Sequence, residues 1–434
     1  MSRREAYQRY LAVLGFFTMT AGDLWRDLLS WWGWGAICVI LLVLAVIELI
    51  HSRVDLRRLP FALIGFLLLT VVSIFWSDYP GATLVGWAAT FSVAFFAIFL
   101  ATVLDLETML RAFGLALRWI LALSLVFEFV VSAFIRHPVL PFFVDYSKLD
   151  KIPSAFYWSR DLLFHGGQIQ GIQGNSNLLA LSALLALIVF AVQWVSGTAS
   201  KVWLGFWTVV ALACLALTRS STVLIALAAV ILVGVFLWAV RATSGARRGL
   251  VYGGGVVAAL GVAAVGIFAN GLVLHVLGKS AELTNRTVIW GKVLELANQR
   301  PAAGWGWVGW WAPWAEPFKH LAVITGVTYL QAHDAWIDIY FQLGVIGLII
   351  FGLLVLTTLG RSWLMAIEAG PRRSRLVELF PLLITVALIV HSLAESRLLV
   401  EICLALLLIA AIRSAQREPE PDAPLREPIH EPSA

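Results

Sequence analysis

The sequence predicts an all-α integral membrane protein with about twelve transmembrane helices and a long helical loop between spans nine and ten. Three observations predict it. Of the 434 residues, 60% are apolar and only 13% are charged, about half the ~25% of a soluble domain. The apolar residues fall in long unbroken runs, which a β-barrel's alternating pattern does not contain. The apolar total of about 260 residues is close to the ~240 that twelve crossings of ~20 residues need. These figures exclude a soluble enzyme, a disordered chain and a collagen-like fibre.

The runs lie at roughly 10–24, 29–50, 60–76, 82–104, 112–134, 175–196, 202–218, 220–240, 249–270, 336–358, 376–394 and 397–413. A lipid-exposed span must satisfy its own backbone, so each is expected to be a helix. The 31 basic residues orient them. With both termini in the cytoplasm, 18 of these residues fall on the cytoplasmic side and seven in the short outer segments, Arg160 among the seven. Arg118 sits inside span five, and the other five lie in one long outer loop that the positive-inside rule does not count. A net charge of +5 therefore reports orientation and does not argue for nucleic acid. Cys38, Cys214 and Cys403 sit inside apolar runs, without disulfide or metal-ligand spacing. The first apolar stretch carries no A-x-A cleavage signature and reads as a span.

One polytopic membrane domain is expected over 1–413, with extracytoplasmic loops at about 135–174 and 271–335. The tail 414–434, rich in Pro and charge, reads as disordered and cytoplasmic. No internal repeat stands out, though Gly253, Gly254, Gly255, Gly261 and Gly266 suggest close helix packing in span nine.

Candidate chemistry concentrates at the outer side. Arg219 joins spans seven and eight almost without a loop. An Arg at membrane depth costs ~2.5–3.5 kcal/mol on insertion scales, so it is either a snorkelling anchor or an anion ligand. In the second loop, Thr284 or Asn285 is expected to cap a helix that carries Arg286 and Trp290 on one face, with Val293, Leu294 and Ala297 continuing its apolar side. That pattern fits an amphipathic helix lying on the membrane, with Arg286 in the first turn, where an anion or a lipid headgroup would be favoured.

Trp305, Trp307, Trp310, Trp311 and Trp314 follow. The plainer reading is an interfacial aromatic belt; the alternative is a wall for a prenyl chain or a platform for sugar rings. His333 stands where the loop re-enters the membrane, as a general base or a hydrogen-bonded structural group. Asp334, Asp338 and Gln342, spaced by four, form a polar stripe that should face a cavity or a partner. His391, Glu395, Arg397 and Glu401 mark the last outer hairpin, where an Arg397–Glu401 pair reads as structural or as support for the site.

These residues resemble the superfamily of O-antigen ligases and Wzy-type polymerases, multi-span glycosyltransferases of the bacterial envelope. The resemblance rests on Thr218-Arg219-Ser220 before a span, and on Asn285-Arg286 with Trp290 and Gly304-Trp305-Gly306. It rests also on His333-Asp334 followed, after nine intervening residues, by Gly344-Val345-Ile346-Gly347. Gly174-Asn175-Ser176-Asn177 adds a weaker likeness, and the match covers roughly 160–360. The family usually has Asn after the His, where this chain has Asp334.

The resemblance implies a GT-C-like fold in the bacterial cytoplasmic membrane with an extracytoplasmic active site. It implies a polyprenyl-diphosphate-linked glycan donor, an acceptor glycan or glycolipid, and inverting transfer with no metal or other cofactor. Arg219 and Arg286 would bind the diphosphate. His333 would act as base or hold the diphosphate, and Trp290, Asp334, Asp338 and Arg160 could support the site. Asp334 and the short tail lean the reading to a polymerase of surface or exopolysaccharide over a ligase acting on lipid A core. A transporter or flippase would bind near the midplane, often in an internal repeat, and a non-catalytic scaffold would tolerate substitution of all three residues.

Overall fold

A helix stands at each of the twelve expected positions. The computed structural model describes residues 2–147, 152–268, 280–324, 327–369 and 373–416. In chain order the helices are α1 (Arg3–Thr20), α2 (Gly22–His51), α3 (Phe61–Val72), α4 (Pro80–Thr102), α5 (Leu106–Val130), α6 (Ser176–Ser196), α7 (Lys201–Thr218), α8 (Ser221–Arg241) and α9 (Gly245–Phe268). Then come α10 (Ser280–Ala297) and the short α11 (Phe318–Leu321) in the second long loop, a two-residue β-ribbon, and α12 (Ala335–Glu368), α13 (Phe380–Ser392) and α14 (Glu401–Ala415). Eight helical stretches among the described residues are long and apolar enough to cross a membrane. The expected tail falls almost entirely outside the described residues.

Apolarity on all sides marks a buried helix, and α14 shows it: every residue from Ile402 to Ile412 is buried. It packs against α4, α12 and α13 and forms the axis of the bundle. Phe16 of α1 stacks on Phe113 of α5 with ring centroids 4.5 Å apart. Phe66 of α3 meets Phe351 of α12 at 5.1 Å. The expected spans agree with these helices to within a few residues at most ends, but α12 runs ten residues beyond 358.

Contacts gather the segments around 20–27, 73–79, 135–174, 217–220, 286–333 and 393–401 at one end of the bundle, called here the loop end. Gln173 Nε2 donates to the Thr20 carbonyl at 2.7 Å. Ser220 Oγ donates to Asn177 Oδ1 at 2.8 Å. Arg300 pairs with Asp78 at 2.6 Å.

Helix α12 is broken at Gly344 (φ 64°, ψ −160°), a feature the sequence reading did not contain. A break inside an apolar helix strands backbone groups that must find partners. The loop after α10 supplies them. Trp305 N donates to the Phe341 carbonyl at 3.0 Å, Gly306 N to Gln342 O at 2.9 Å, and in return Val345 N donates to Pro301 O at 2.8 Å and Ile346 N to Ala302 O at 3.1 Å. The side chain of Gln342 completes the seam, accepting from Val308 N and Gly309 N at 2.9 Å each. Backbone approaches backbone so closely that a Cβ on Gly304 (φ +67°) would lie 2.4 Å from the Gln342 carbonyl carbon.

Gly304→Ala is therefore expected to destabilise the fold by about 1–3 kcal/mol through overpacking, read as a lowered unfolding temperature of the purified protein. Gly81→Ala, where an added Cβ meets open space, is the control and should not lower that temperature.

Candidate functional site

At the loop end, a single carboxylate joins three segments. Glu395 follows α13 in the short connection to α14, and it is only 4% exposed. Its Oε1 accepts from Arg286 Nη2 of α10 at 3.0 Å, and its Oε2 lies 2.9 Å from His333 Nδ1. Gln331 Nε2 donates to the same Oε2 at 3.3 Å. Burial alone would push the Glu395 carboxyl up. The charge and hydrogen bond of His333, with Arg286 and His391, outweigh burial and hold it down at about 2. A carboxylate can only accept, so Nδ1 of His333 is the donor in this bond, and no described group hydrogen-bonds to its Nε2.

The residues around His333 fix where that Nε2 stands. His333 sits in the left-handed region (φ 55°), a conformation few side chains other than glycine adopt. Immediately before it, Ala332 is clamped on both sides of its peptide: Trp290 Nε1 donates to its carbonyl at 2.9 Å, and its own N donates to Asp338 Oδ2 at 2.9 Å. Immediately after it, Asp334 caps α12, accepting from Trp336 N at 2.8 Å and Ile337 N at 3.0 Å. Burial raises the Asp334 carboxyl against those two backbone bonds. Asn and Asp cap helices about equally well, so Asp334 in place of Asn preserves the turn. Tyr329 meets the imidazole in a T-shaped arrangement, with ring centroids 5.6 Å apart.

Arg286 and His333 are thus brought together. Arg219 is not in contact with them. It is exposed, in the left-handed conformation (φ 52°) that turns α7 into α8, and makes no ion pair among the described residues. Arg160 lies in the first long loop, where Nε donates to Gln170 Oε1 at 3.1 Å and burial lowers its pKa. Asp338 is fully buried and spent on structure: it accepts from Trp311 Nε1 at 2.7 Å, from Ala332 N and from Ser396 Oγ.

Three readings of this region are corrected. Helix α10 begins at Ser280, so Thr284 and Asn285 lie inside it and do not cap it. Arg286 is accordingly beyond the first turn, and the helix dipole does not explain its place. The apolar face of α10, with Ile289, Val293 and Ala297 buried, packs against Val308, Trp311 and Phe318 of its own loop and Phe341 of α12, so that face is covered by protein. The tryptophan run is no uniform belt either. Trp307 and Trp311 are 0% exposed and end on Thr90 and Asp338. Trp305 donates to the Leu296 carbonyl, Trp310 lies under Arg397 at 4.7 Å, and only Trp314 is widely exposed at 68%.

Glu395 is the residue that sequence reasoning left at the margin, because its spacing pointed only to His391 and its partners Arg286 and His333 lie far off in sequence. The Arg397–Glu401 pair does form, at 2.8 Å. Among the described residues, no group of three or more His, Cys, Asp or Glu converges to hold a metal ion.

A bundle of membrane-length apolar helices, with an Arg–Glu–His centre where a long loop rejoins a broken helix, defines a multi-span membrane protein with a built polar site. Residues 205–352 match the family model described as O-antigen ligase, a stretch that contains Arg219, Arg286, His333 and the break at Gly344. That stretch is thus similar to the O-antigen ligase family. The exopolysaccharide production protein ExoQ of Rhizobium meliloti (strain 1021) is 26% identical over 308 residues, covering 68% of this chain. The match spans 63% of that protein's own length.

The centre makes a pH prediction of its own. The Glu395 pKa in the fold, about 2, lies below its ordinary 4.5. Its contribution to stability is then fully present above pH 4.5 and is lost as pH falls through 2. The unfolding temperature of the wild type should drop across that window, and Glu395→Gln should flatten that part of the profile while lowering stability above it.

Proposed function

We propose that the chain is a bacterial inner-membrane glycosyltransferase that moves a glycan from a polyprenyl-diphosphate carrier to an acceptor sugar, acting as a polymerase of surface or exopolysaccharide. The supporting observation is the His333–Glu395–Arg286 centre, whose His333 and Arg286 lie inside the O-antigen ligase match and whose Glu395 lies beyond it. The likeness to an exopolysaccharide production protein favours polymerase over ligase. On this reading the bundle crosses the membrane twelve times in a GT-C-like arrangement. Both termini are cytoplasmic and the loop end faces outward.

The proposed chemistry follows from the free Nε2. An acceptor hydroxyl gives its proton to His333 Nε2 as its oxygen attacks the anomeric carbon of the donor sugar. The bond from that carbon to the diphosphate oxygen breaks, and the electron pair leaves with the polyprenyl diphosphate. Attack opposite the leaving group inverts the anomeric carbon. Glu395 holds the imidazole in one tautomer and stabilises the imidazolium that forms, the role a buried carboxylate plays behind any general-base histidine. Arg286 and Arg219 would offset charge on the leaving diphosphate. Trp290 and Asp334 position His333 through Ala332 and the α12 cap.

Purified protein in nanodiscs, given lipid-linked repeat units and no lipid A core, should yield a ladder of polymerised chains. His333→Ala should abolish it. Glu395→Gln should slow transfer by about 10²–10⁴-fold, the usual contribution of general-base catalysis. Full transfer by His333→Ala protein would refute the base role, and transfer only to a lipid A core acceptor would make the protein a ligase.

A further inference from the structure

A second built cavity lies at the loop end, on the other side of the connection that carries Glu395. Its volume is about 190 Å³, smaller than the ~300–1,000 Å³ of drug-sized sites and so suited to a single small unit of a ligand. Asp23 and Asp27 of α2, Tyr157 and Trp158 of the first long loop, Asn175 at the start of α6, and Arg397 line it. The segment 393–400 joins the two sites, with Glu395 turned to His333 and Arg397, two residues on, lining the cavity.

The charges around the cavity decide its ligand class. Arg26 pairs with Asp23 and, at 3.3 Å, with Glu401. Arg397 pairs with Glu401 at 2.8 Å and lies over Trp310. Both guanidiniums are therefore already matched. The Asp27 side chain lines the cavity without a hydrogen bond or ion pair among the described residues. Asp23 and Glu401 match the two guanidiniums, so the cavity offers no excess positive charge to a diphosphate. Carboxylate and amide acceptors beside aromatic rings suit a ligand rich in hydroxyls, whose O–H groups donate and whose C–H faces pack on the rings.

We propose that this cavity binds a sugar unit of the acceptor glycan, with Asp27 receiving its hydroxyls and Tyr157 its apolar face. The identity of the ligand rests on the glycosyl-transfer reading above; the site itself rests on the cavity.

The test uses the full chain in nanodiscs and oligosaccharides released by mild acid from the surface polysaccharide of the cells that make the protein. Binding is read by saturation-transfer NMR. Wild-type protein should bind, whereas Asp27→Asn and Tyr157→Ala should each weaken binding about tenfold, the scale of a lost hydrogen bond. No binding by the wild type, or equal affinity in wild type and both variants, overturns the site. Asp27-dependent binding without any transfer would sink the catalytic reading and leave this site standing. Transfer with an acceptor KM unmoved by Asp27→Asn would do the reverse.

Discussion

The loop end is organised by a carboxylate that has been taken out of water. Burying a lone ionised group costs several kcal/mol, and Glu395 is tolerated because three donors from two other segments converge on it. The cost makes the arrangement mutual. Without Glu395, Arg286 would be a nearly buried cation with no counter-charge, and His333 would lose the acceptor that sets its tautomer. The eight residues from 393 to 400 thereby govern more than their length suggests. Glu395 gathers α10 and the His333 turn, Ser396 donates to Asp338, and Arg397 reaches the acidic edge of the neighbouring cavity.

A long loop can hold such a centre only if its own backbone is satisfied. Here the break in α12 does for the loop what a β-strand would do elsewhere. It opens carbonyl and N–H groups on either side of Gly344, and the residues from Pro301 to Gly309 hydrogen-bond to them and to the Gln342 side chain. The fit demands glycine on both sides of the seam. Trp307 and Trp311 then pin the loop from within by burying their rings and placing each indole N–H on a polar group of the bundle. The loop is thus an extension of the helical core, and His333 stands at its rigid end.

How much of this was legible in the sequence follows from what each signal depends on. Helix positions were legible because apolar run length is a local property with a known physical scale. His333, Arg286 and Arg219 stood out because polar groups are costly beside an apolar run. Glu395 was not legible as the hub, because its partners lie 62 and 109 positions away and spacing rules reach only one helical turn. The tryptophans were misjudged for a related reason: a belt and a core use the same residue, and only the partner of each indole N–H separates them. The start of α10 was misplaced because Thr284-Asn285 looks like a cap whether or not the helix has already begun. The break at Gly344 hid inside a run whose apolarity is continuous, although Gly344 and Gly304 were both noticed as motif residues.

The pairing of Arg286 with Glu395 changes how the proposed centre would handle charge. With His333 neutral, the guanidinium and carboxylate cancel, and the centre presents no net charge to an incoming diphosphate. Exposed Arg219, bonded to nothing in the described structure, is then the cation that can meet the carrier first. When His333 takes the acceptor proton, the centre gains one positive charge in a buried setting, where charge interactions are stronger than in water. That charge arises in the same step that places negative charge on the leaving diphosphate. On the proposed mechanism, stabilisation of the leaving group is therefore coupled to activation of the acceptor, and a donor bound without an acceptor meets a centre that stays neutral. Such coupling would favour transfer to sugar over loss of the glycan to water.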